Sequence, residues 1–447
     1  MEEPPPEGRG DPPPPGPLDR LLRLFSDVRA GEAGTVLLLF ANLFLLLTAY
    51  YIIRTVREPL ILVVGGAELR SYAAAAQALA LVVFIPLYGW LASRVTRIRL
   101  VLGVILFFVA CIQVFYVGGR FQVRHLGFLF FVWVGIFNNA TIALFWSYAN
   151  DLYRREDGER LFPVIALGGP LGAPLGAAIA TRLFDSGVNP FNMLQISAAL
   201  LLVHFGLYWI VNRRESGRPG QAASSQRTLE AGPGGFALVF QSPYLRLVAL
   251  LLILLNFVNS TGEFILAHAL RAAATAAAAA DPTVDVISFI GSFSGRYQLY
   301  ISVTAALMQA FLVSRIVKYL GIAGAILTLP VVALGSYGLI AAGASLFTIR
   351  WAKVAENATD YSVMNTGKQL LWLPTTREEK YKAKQAVDSF FVRAGDLLQA
   401  GLVALSAYWL HLNARGFALT NLAVVVAWIF VALVLVREHR ALVAKQA

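Results

Sequence analysis

The sequence predicts an all-α, polytopic membrane protein of about twelve transmembrane helices, and three observations carry that reading. The chain is 57% hydrophobic and only 14% charged, against about 25% charged and 45–50% apolar in soluble domains. The apolar residues come in long blocks separated by short charged loops. The basic residues, finally, collect in every second loop.

That third observation accounts for the formal charge of +11. The basic residues sit between apolar blocks, where they act as orientation signals of the positive-inside kind. No nucleic-acid partner is therefore expected. The single cysteine, Cys111, lies inside an apolar block. It excludes an internal disulfide and a cysteine-based metal site and reads as packing.

Residues 1–17 are Pro-rich and too poor in apolar side chains to fold, so they read as a disordered tail. Over 18–30, Leu18, Leu21, Leu22, Phe25 and Val28 fall at helical spacing with basic residues opposite, the pattern of an interfacial amphipathic helix. At about 20 apolar residues per crossing, the spans fall near 34–64, 72–92, 99–118, 126–149, 162–183, 191–212, 245–268, 297–317, 321–343, 346–371, 386–410 and 417–436. One set of loops holds Arg94, Arg97 and Arg99; Arg154, Arg155 and Arg160; Arg213 and Arg214; Arg315 and Lys318; Arg377, Lys380, Lys382 and Lys384; and Arg437 and Arg440. Both termini are thus expected in the cytoplasm of a bacterial-type inner membrane, which requires an even number of spans. A Gly/Ser/Arg-rich stretch over 214–242 reads as a flexible linker. It divides the chain into six-helix halves, 31–213 and 243–437, followed by a cytoplasmic tail over 438–447. That is the two-half plan of a major-facilitator transporter. The run Ala272 to Ala280 is expected to extend a helix outward.

Ionisable side chains at mid-membrane cost about 2.5–3.5 kcal/mol even on the gentler insertion scale, so they are the candidate site. The first span is too long for one crossing and contains RTVREPLILVV, with Arg54, Arg57 and Glu58 before Pro59. Either these charges end a shorter span at the interface, or the proline marks a break that lines a cavity, which is the favoured reading. The fourth span carries Asn138, Asn139 and Thr141, read as interhelical packing, and the fifth repeats Gly168, Gly172 and Gly176 on one bare face. No Gly-Lys-Ser/Thr follows those glycines, so they form no phosphate loop. In the seventh span Asn256, Asn259 and Glu263 form one stripe; Glu263 is left open among proton coupling, substrate contact and a structural salt bridge. The tenth span is the most informative. Arg350, Lys353, Glu356, Asn357, Asp360 and Lys368 share about a third of its circumference, with Lys353 able to pair with Glu356 or Asn357. Arg54, Arg57, Lys353 and Lys368, with Arg350 nearby, form a surplus of cations along one pathway, which implies an anionic substrate. The residues alone give an exchanger or importer of an organic anion.

Three segments carry a resemblance: YYIIRTVREPLILVVGGAELRSYAAAAQALALVVFIPLYG, FWSYANDLYRREDGERLFPVIALGGPLG and KVAENATDYSVMNTGKQLLWLPTTREEKYKAKQAVDSFFVRAGD. They resemble the non-mitochondrial ATP/ADP translocases of plastids and intracellular bacteria, relatives of the major facilitators, from about residue 18 to residue 436. The resemblance implies twelve spans and exchange of ATP for ADP, or proton-coupled nucleotide uptake. A basic residue of the family motif is matched by Arg57, a seventh-span carboxylate by Glu263 and a lysine before an LPT-type turn by Lys368. A second carboxylate of plastid-type members is not matched: Val134 stands there.

The expected mechanism is alternating access around a mid-membrane site. Arg57, Lys353 and Lys368 are expected to hold substrate phosphates, with Arg54 behind them. Glu263, beside Asn259, is the expected coupling or base-contacting carboxylate, and Asp360 and Glu356 keep the basic cluster in register. Carriage of another organic or phosphorylated anion, a proton-driven drug exporter and a non-transporting scaffold or lipid-handling protein are the rival readings. Ser93 in GWLASRVTR, where common major facilitators place an aspartate, speaks against the exporter. The five scattered histidines form no metal-ligand cluster, and there is neither a nucleophile elbow nor a Walker lysine. No enzyme activity, cofactor or metal is expected; the partners are a small anionic solute, a nucleotide by resemblance, and the lipid bilayer around a monomer.

Overall fold

The computed structural model describes residues 29, 32–92, 94–153, 155–215, 235–376 and 378–446. The tail expected over 1–17, the helix expected over 18–30 apart from Arg29, and linker residues 216–234 lie outside the described residues. So does Ser93.

Apart from turns, the described elements are all helical. Ala33–Ala92 is one helical run interrupted at Gly66, whose φ of 70° and ψ of −164° suit a residue without a Cβ. Neighbours show that the chain doubles back there. Tyr50 meets the Phe137 ring, a Cβ on Gly127 would overlap the Leu60 carbonyl, and one on Gly135 would overlap Gln77. Residues 33–65 therefore run antiparallel to Leu126–Leu152, and residues 67–92 run parallel to it. The expected break at Pro59 does not occur; the helix continues through it and turns about two helical turns later.

The first half continues with Arg97–Arg120, Leu126–Leu152, a fifth span in two pieces (Arg155–Ala166 and Gly168–Asp185) and Pro190–Glu215. The second half has Pro243–Ala280 as its seventh span, and Val286–Phe311 with Val313–Ala341, a run that turns back at Gly321, as its eighth and ninth. The tenth is Leu346–Thr359, continued through a π-helical turn, Asp360–Met364, into Asn365–Leu371. The eleventh runs over 379–410 and the twelfth is Ala414–Gln446. Nine helices among the described residues are long and apolar enough to cross a membrane. The first of them makes two crossings. Hydropathy passes over Val286–Phe311 and the tenth span, because their polar residues face the protein interior rather than lipid.

Three boundaries differ from expectation. The eighth span begins at Val286, not near 297; after an irregularity at Leu312 it runs on to Gly321, where φ of 61° and ψ of −154° turn the chain back, so the ninth span starts where the sequence put it. Its first turns look like a loop in sequence because Ser292 and Arg296 are polar, but both bind Asp185 of the fifth span. Inside the expected linker 214–242, Gly235–Gln241 is a helix whose Phe236 packs edge-on against Phe390 at 5.2 Å. The expected tail over 438–447 continues the last helix to Gln446. The alanine-rich run extends the seventh helix to Ala280; its 38 residues are longer than a bilayer core of about 30 Å requires.

Two main apolar clusters form: one lies in the first half, and the other fills the second half and takes in Ile61, Leu62, Ala67, Ala73 and Phe131 of the first. In the first half, Gly168, Gly172 and Gly176 lie against the Phe40, Phe44 and Thr48 carbonyls, so the fifth and first spans touch backbone to backbone. The described side-chain bonds between halves run from Arg54–Tyr361 and Arg70–Glu263 to Ser71–Gln399 and Asp185–Arg296. They lie from mid-membrane toward the face opposite the termini, called the far face below. The halves are clasped on that side.

Gly176→Val should force the first and fifth spans apart and cost about 1–3 kcal/mol, lowering the melting temperature of the solubilised protein. Gly206→Val, where a Cβ meets nothing within 4 Å, should leave melting unchanged. Equal melting of the two variants would contradict the backbone contact.

Candidate functional site

The first span brings Arg54, Arg57 and Glu58 to the boundary between the halves, and the turn at Gly66 sets Arg70 at the start of the second span beside them. Glu58 accepts from Arg57 at 2.5 Å and from Arg70 at 2.8 Å. Arg70 also reaches across to Glu263 of the seventh span at 3.2 Å. Arg57 in addition stands over the Phe131 ring, 4.1 Å from its centroid, which compensates part of its charge.

Glu263 is the hub. It accepts from the Tyr297 hydroxyl at 2.7 Å and from Asn357 Nδ2 at 2.9 Å, and Lys353 Nζ stands 4.0 Å away. The Lys353 ammonium is fully buried. It donates to Asn259 Oδ1 at 2.8 Å and pairs with Glu356 at 2.9 Å. Of the two partners open to Lys353 in the sequence, Glu356 is the one taken. Glu356 also accepts from the Tyr337 hydroxyl at 3.0 Å. A cavity of about 30 Å³, room for little more than a water, lies among Arg54, Arg57, Glu58, Arg70, Glu263 and Tyr297.

The other expected residues lie apart from this network. Lys368 pairs with Asp360 at 3.2 Å, on the π-helical turn and the helix after it, nearer the face of the termini. Asn256 takes no part: its amide nitrogen is buried without a partner and its Cβ packs on Gly395. Arg54 donates to the Tyr361 hydroxyl at 3.2 Å and stands over the Tyr51 ring at 5.5 Å.

Charge bookkeeping separates the cations. Arg57, Arg70 and Lys353 are matched by Glu58, Glu263 and Glu356, three against three. Lys368 is matched by Asp360. Arg54, by contrast, has a neutral hydroxyl as its described hydrogen-bond partner. Lys353, expected on a substrate phosphate, is enclosed in its own half, and Arg54, expected behind the others, is the more available cation.

Arg70, Tyr297 and Tyr337 were not legible as site residues. Arg70 falls between two expected spans, so it read as a loop charge. The double glycine Gly65–Gly66 was the available signal, since a turn there starts the next helix early enough to bury Arg70. Tyr297 stood at the edge of a misplaced span, and a buried tyrosine such as Tyr337 is ordinary core by type.

The profile of the TLC ATP/ADP transporter family matches residues 125–439. ADP,ATP carrier protein 1 of Chlamydia trachomatis serovar D is 22% identical over 321 residues, 62% of this chain and 58% of that protein. ADP,ATP carrier protein 4 of Rickettsia bellii is 24% identical over 322 residues, 62% of this chain and 59% of that one. The chain's match thus spans less than two thirds of either relative's length. Among solved structures, the nucleoside transporter NupG aligns at TM-score 0.62 with 14% identity, covering 90% of this chain and 98% of that one. A bacterial homologue of the iron transporter ferroportin, in an inward-facing state, aligns at 0.64 with 16% identity, covering 90% and 98%. At such identities these structures establish the transporter fold alone. The family profile covers well over half of the sequence, and the chain belongs to the TLC ATP/ADP transporter family.

Proposed function

We propose that the protein exchanges ATP for ADP across a bacterial inner membrane by alternating access, acting as a monomer with both termini in the cytoplasm. The nucleotide comes from the relatives, which are named ADP,ATP carriers. The single observation on this chain that carries an anionic substrate is Arg54. It is a cation at mid-membrane with no carboxylate partner among the described residues, beside a network already neutral. A phosphate supplies the missing charge and the charge-assisted hydrogen bonds.

In this reading Arg54 contacts the phosphates first. Lys368 joins by exchanging Asp360 for a phosphate oxygen, and Arg57 lies next along the path. Lys353 and Glu356 shape the seventh and tenth spans rather than touch substrate. Glu263 is the coupling carboxylate, because its bond to Arg70 links the halves and must open when the far face opens. With the termini in the cytoplasm, the clasp at the far face supports a cytoplasm-facing state. One observation favours another phosphorylated anion: Val134, where plastid-type members carry a carboxylate, is fully buried in the apolar core.

The test is uptake of labelled ATP into proteoliposomes loaded with ADP, with empty and phosphate-loaded controls. Uptake that requires internal ADP is expected; its absence under every loading would remove the nucleotide and leave the fold. Within that assay, Arg54→Gln and Lys368→Gln should each lower uptake at limiting ATP by about thirtyfold or more while melting as the parent does. Normal uptake by either variant would remove that residue from the site.

Lys353 gives a separate outcome. Lys353→Met should destabilise by about 3–5 kcal/mol, because it strands the Glu356 carboxylate in the interior. The double variant Lys353→Met/Glu356→Leu should recover most of that loss in a thermal melt. If Lys353→Met melts normally and fails only in transport, the lysine holds substrate after all.

A further inference from the structure

Among the described residues, Arg350 makes no bond to the central network. It sits one turn into the tenth span, at the far-face end, and its Nε is buried without a hydrogen-bond partner. No carboxylate pairs with it among the described residues. Instead its guanidinium stands 5.4–5.7 Å from the ring centroids of Phe293, Tyr300, Phe347 and Trp351. Those rings compensate the charge in part and orient the group. They leave its hydrogen-bonding capacity unused.

The guanidinium borders a cavity of about 320 Å³ between the fifth, eighth and tenth spans, lined also by Asp185, Asp285, Phe289, Phe293 and Arg296. Asp185 is already engaged, by the Ser292 hydroxyl at 2.5 Å and Arg296 at 2.7 Å. Asp285 caps the eighth span through one oxygen, which accepts from the Ser288 amide at 2.8 Å. Arg350 is thus the cation in this cavity that is not matched by a carboxylate. Phe293 lines both this cavity and the small one among Arg54, Arg57, Arg70 and Glu263. Phe293 is the residue the far-face cavity shares with the lining of the central network.

We propose that this cavity is a far-face receiving site for the substrate, in which Arg350 binds a phosphate and Phe289 and Phe293 flank an aromatic base. The free oxygen of Asp285 accepts from hydroxyl or amino groups of the same ligand. The proposal rests on the nucleotide reading above and names where that substrate is first held when it arrives from the far side. Passage inward then requires the Phe293 ring to move, delivering the phosphate to Arg54.

Two measurements on the full chain test it. In vesicles of known orientation, Arg350→Gln should raise the KM for ATP offered at the far face about tenfold or more. The KM at the face of the termini should change by less than about twofold. A merely structural arginine would shift both faces together. In the purified protein, Trp351 emission, taken as the difference between the parent and Trp351→Phe, should change saturably with ATP or pyrophosphate, and Arg350→Gln should weaken that response. If the parent does not exchange nucleotides but Trp351 still titrates with pyrophosphate, the nucleotide reading falls and an anion site at Arg350 stands. If exchange is intact while Trp351 is silent or Arg350→Gln acts equally on both faces, the receiving site is overturned. A parent inactive in both measurements removes both.

Discussion

Everything at the centre of this protein depends on one constraint: charges buried in a membrane interior must be matched by partners in the same interior. In a low-dielectric medium each attraction is strong, but each ion has also been taken from water. Glu58, Glu263 and Glu356 with Arg57, Arg70 and Lys353 meet the constraint, and hydroxyls and amides from Tyr297, Tyr337, Asn259 and Asn357 occupy remaining bonding positions. Such a network adds little net stability over an apolar core, yet loss of any one member is costly. What it secures is register: the first, second, seventh and tenth spans meet at one depth because a shift of one turn would strand a charge.

Packing around that central arrangement is concentrated within the halves. The first and fifth spans are held backbone to backbone by the Gly168–Gly172–Gly176 face, so the first half can move as a unit. The second half packs around the seventh, ninth and twelfth spans, joined at its edge by Ile61, Leu62, Ala67, Ala73 and Phe131 of the first half. The contacts between halves, by contrast, include polar bonds such as Ser71–Gln399 and Asp185–Arg296, and polar bonds can be exchanged for water or substrate. A π-helical turn, Asp360–Met364, carries two neighbouring partners: Asp360 pairs with Lys368 and Tyr361 accepts from Arg54 of the other half.

Much of this was legible in the chain, for a physical reason. Lipid tolerates so few sequences that span count and the inward face of the tenth helix follow from composition alone. Lys353, Glu356, Asp360 and Lys368 could be read as interior because no other place on a membrane helix would accept them. Partner choice was not legible. Whether Lys353 serves substrate or Glu356 depends on rotamers and on Asn259 from another helix, and one sequence cannot show that. Arg70 was missed for a related reason: a charge near a span boundary costs little in lipid, so it raises no alarm until the turn at Gly66 is seen to bury it.

Division of the network between the halves gives it a direction. Glu58 stays with Arg57 and Arg70 in the first half, a surplus of one positive charge. Glu263 and Glu356 stay with Lys353 in the second, a surplus of one negative charge. Arg70–Glu263 is the bond that cancels the two. In the proposed alternating-access cycle, opening the far face would break it and leave the first half, which also carries Arg54, more positive than before. In the proposed cycle an anion entering from that side therefore meets its strongest attraction only once the far face has opened. By the same logic it competes with Glu263 for Arg70 and opposes reclosure until it moves on. On that proposal, a network neutral when closed and polarised when open ties movement of the halves to the charge of the cargo. It does so with pairwise bonds that each half already contains.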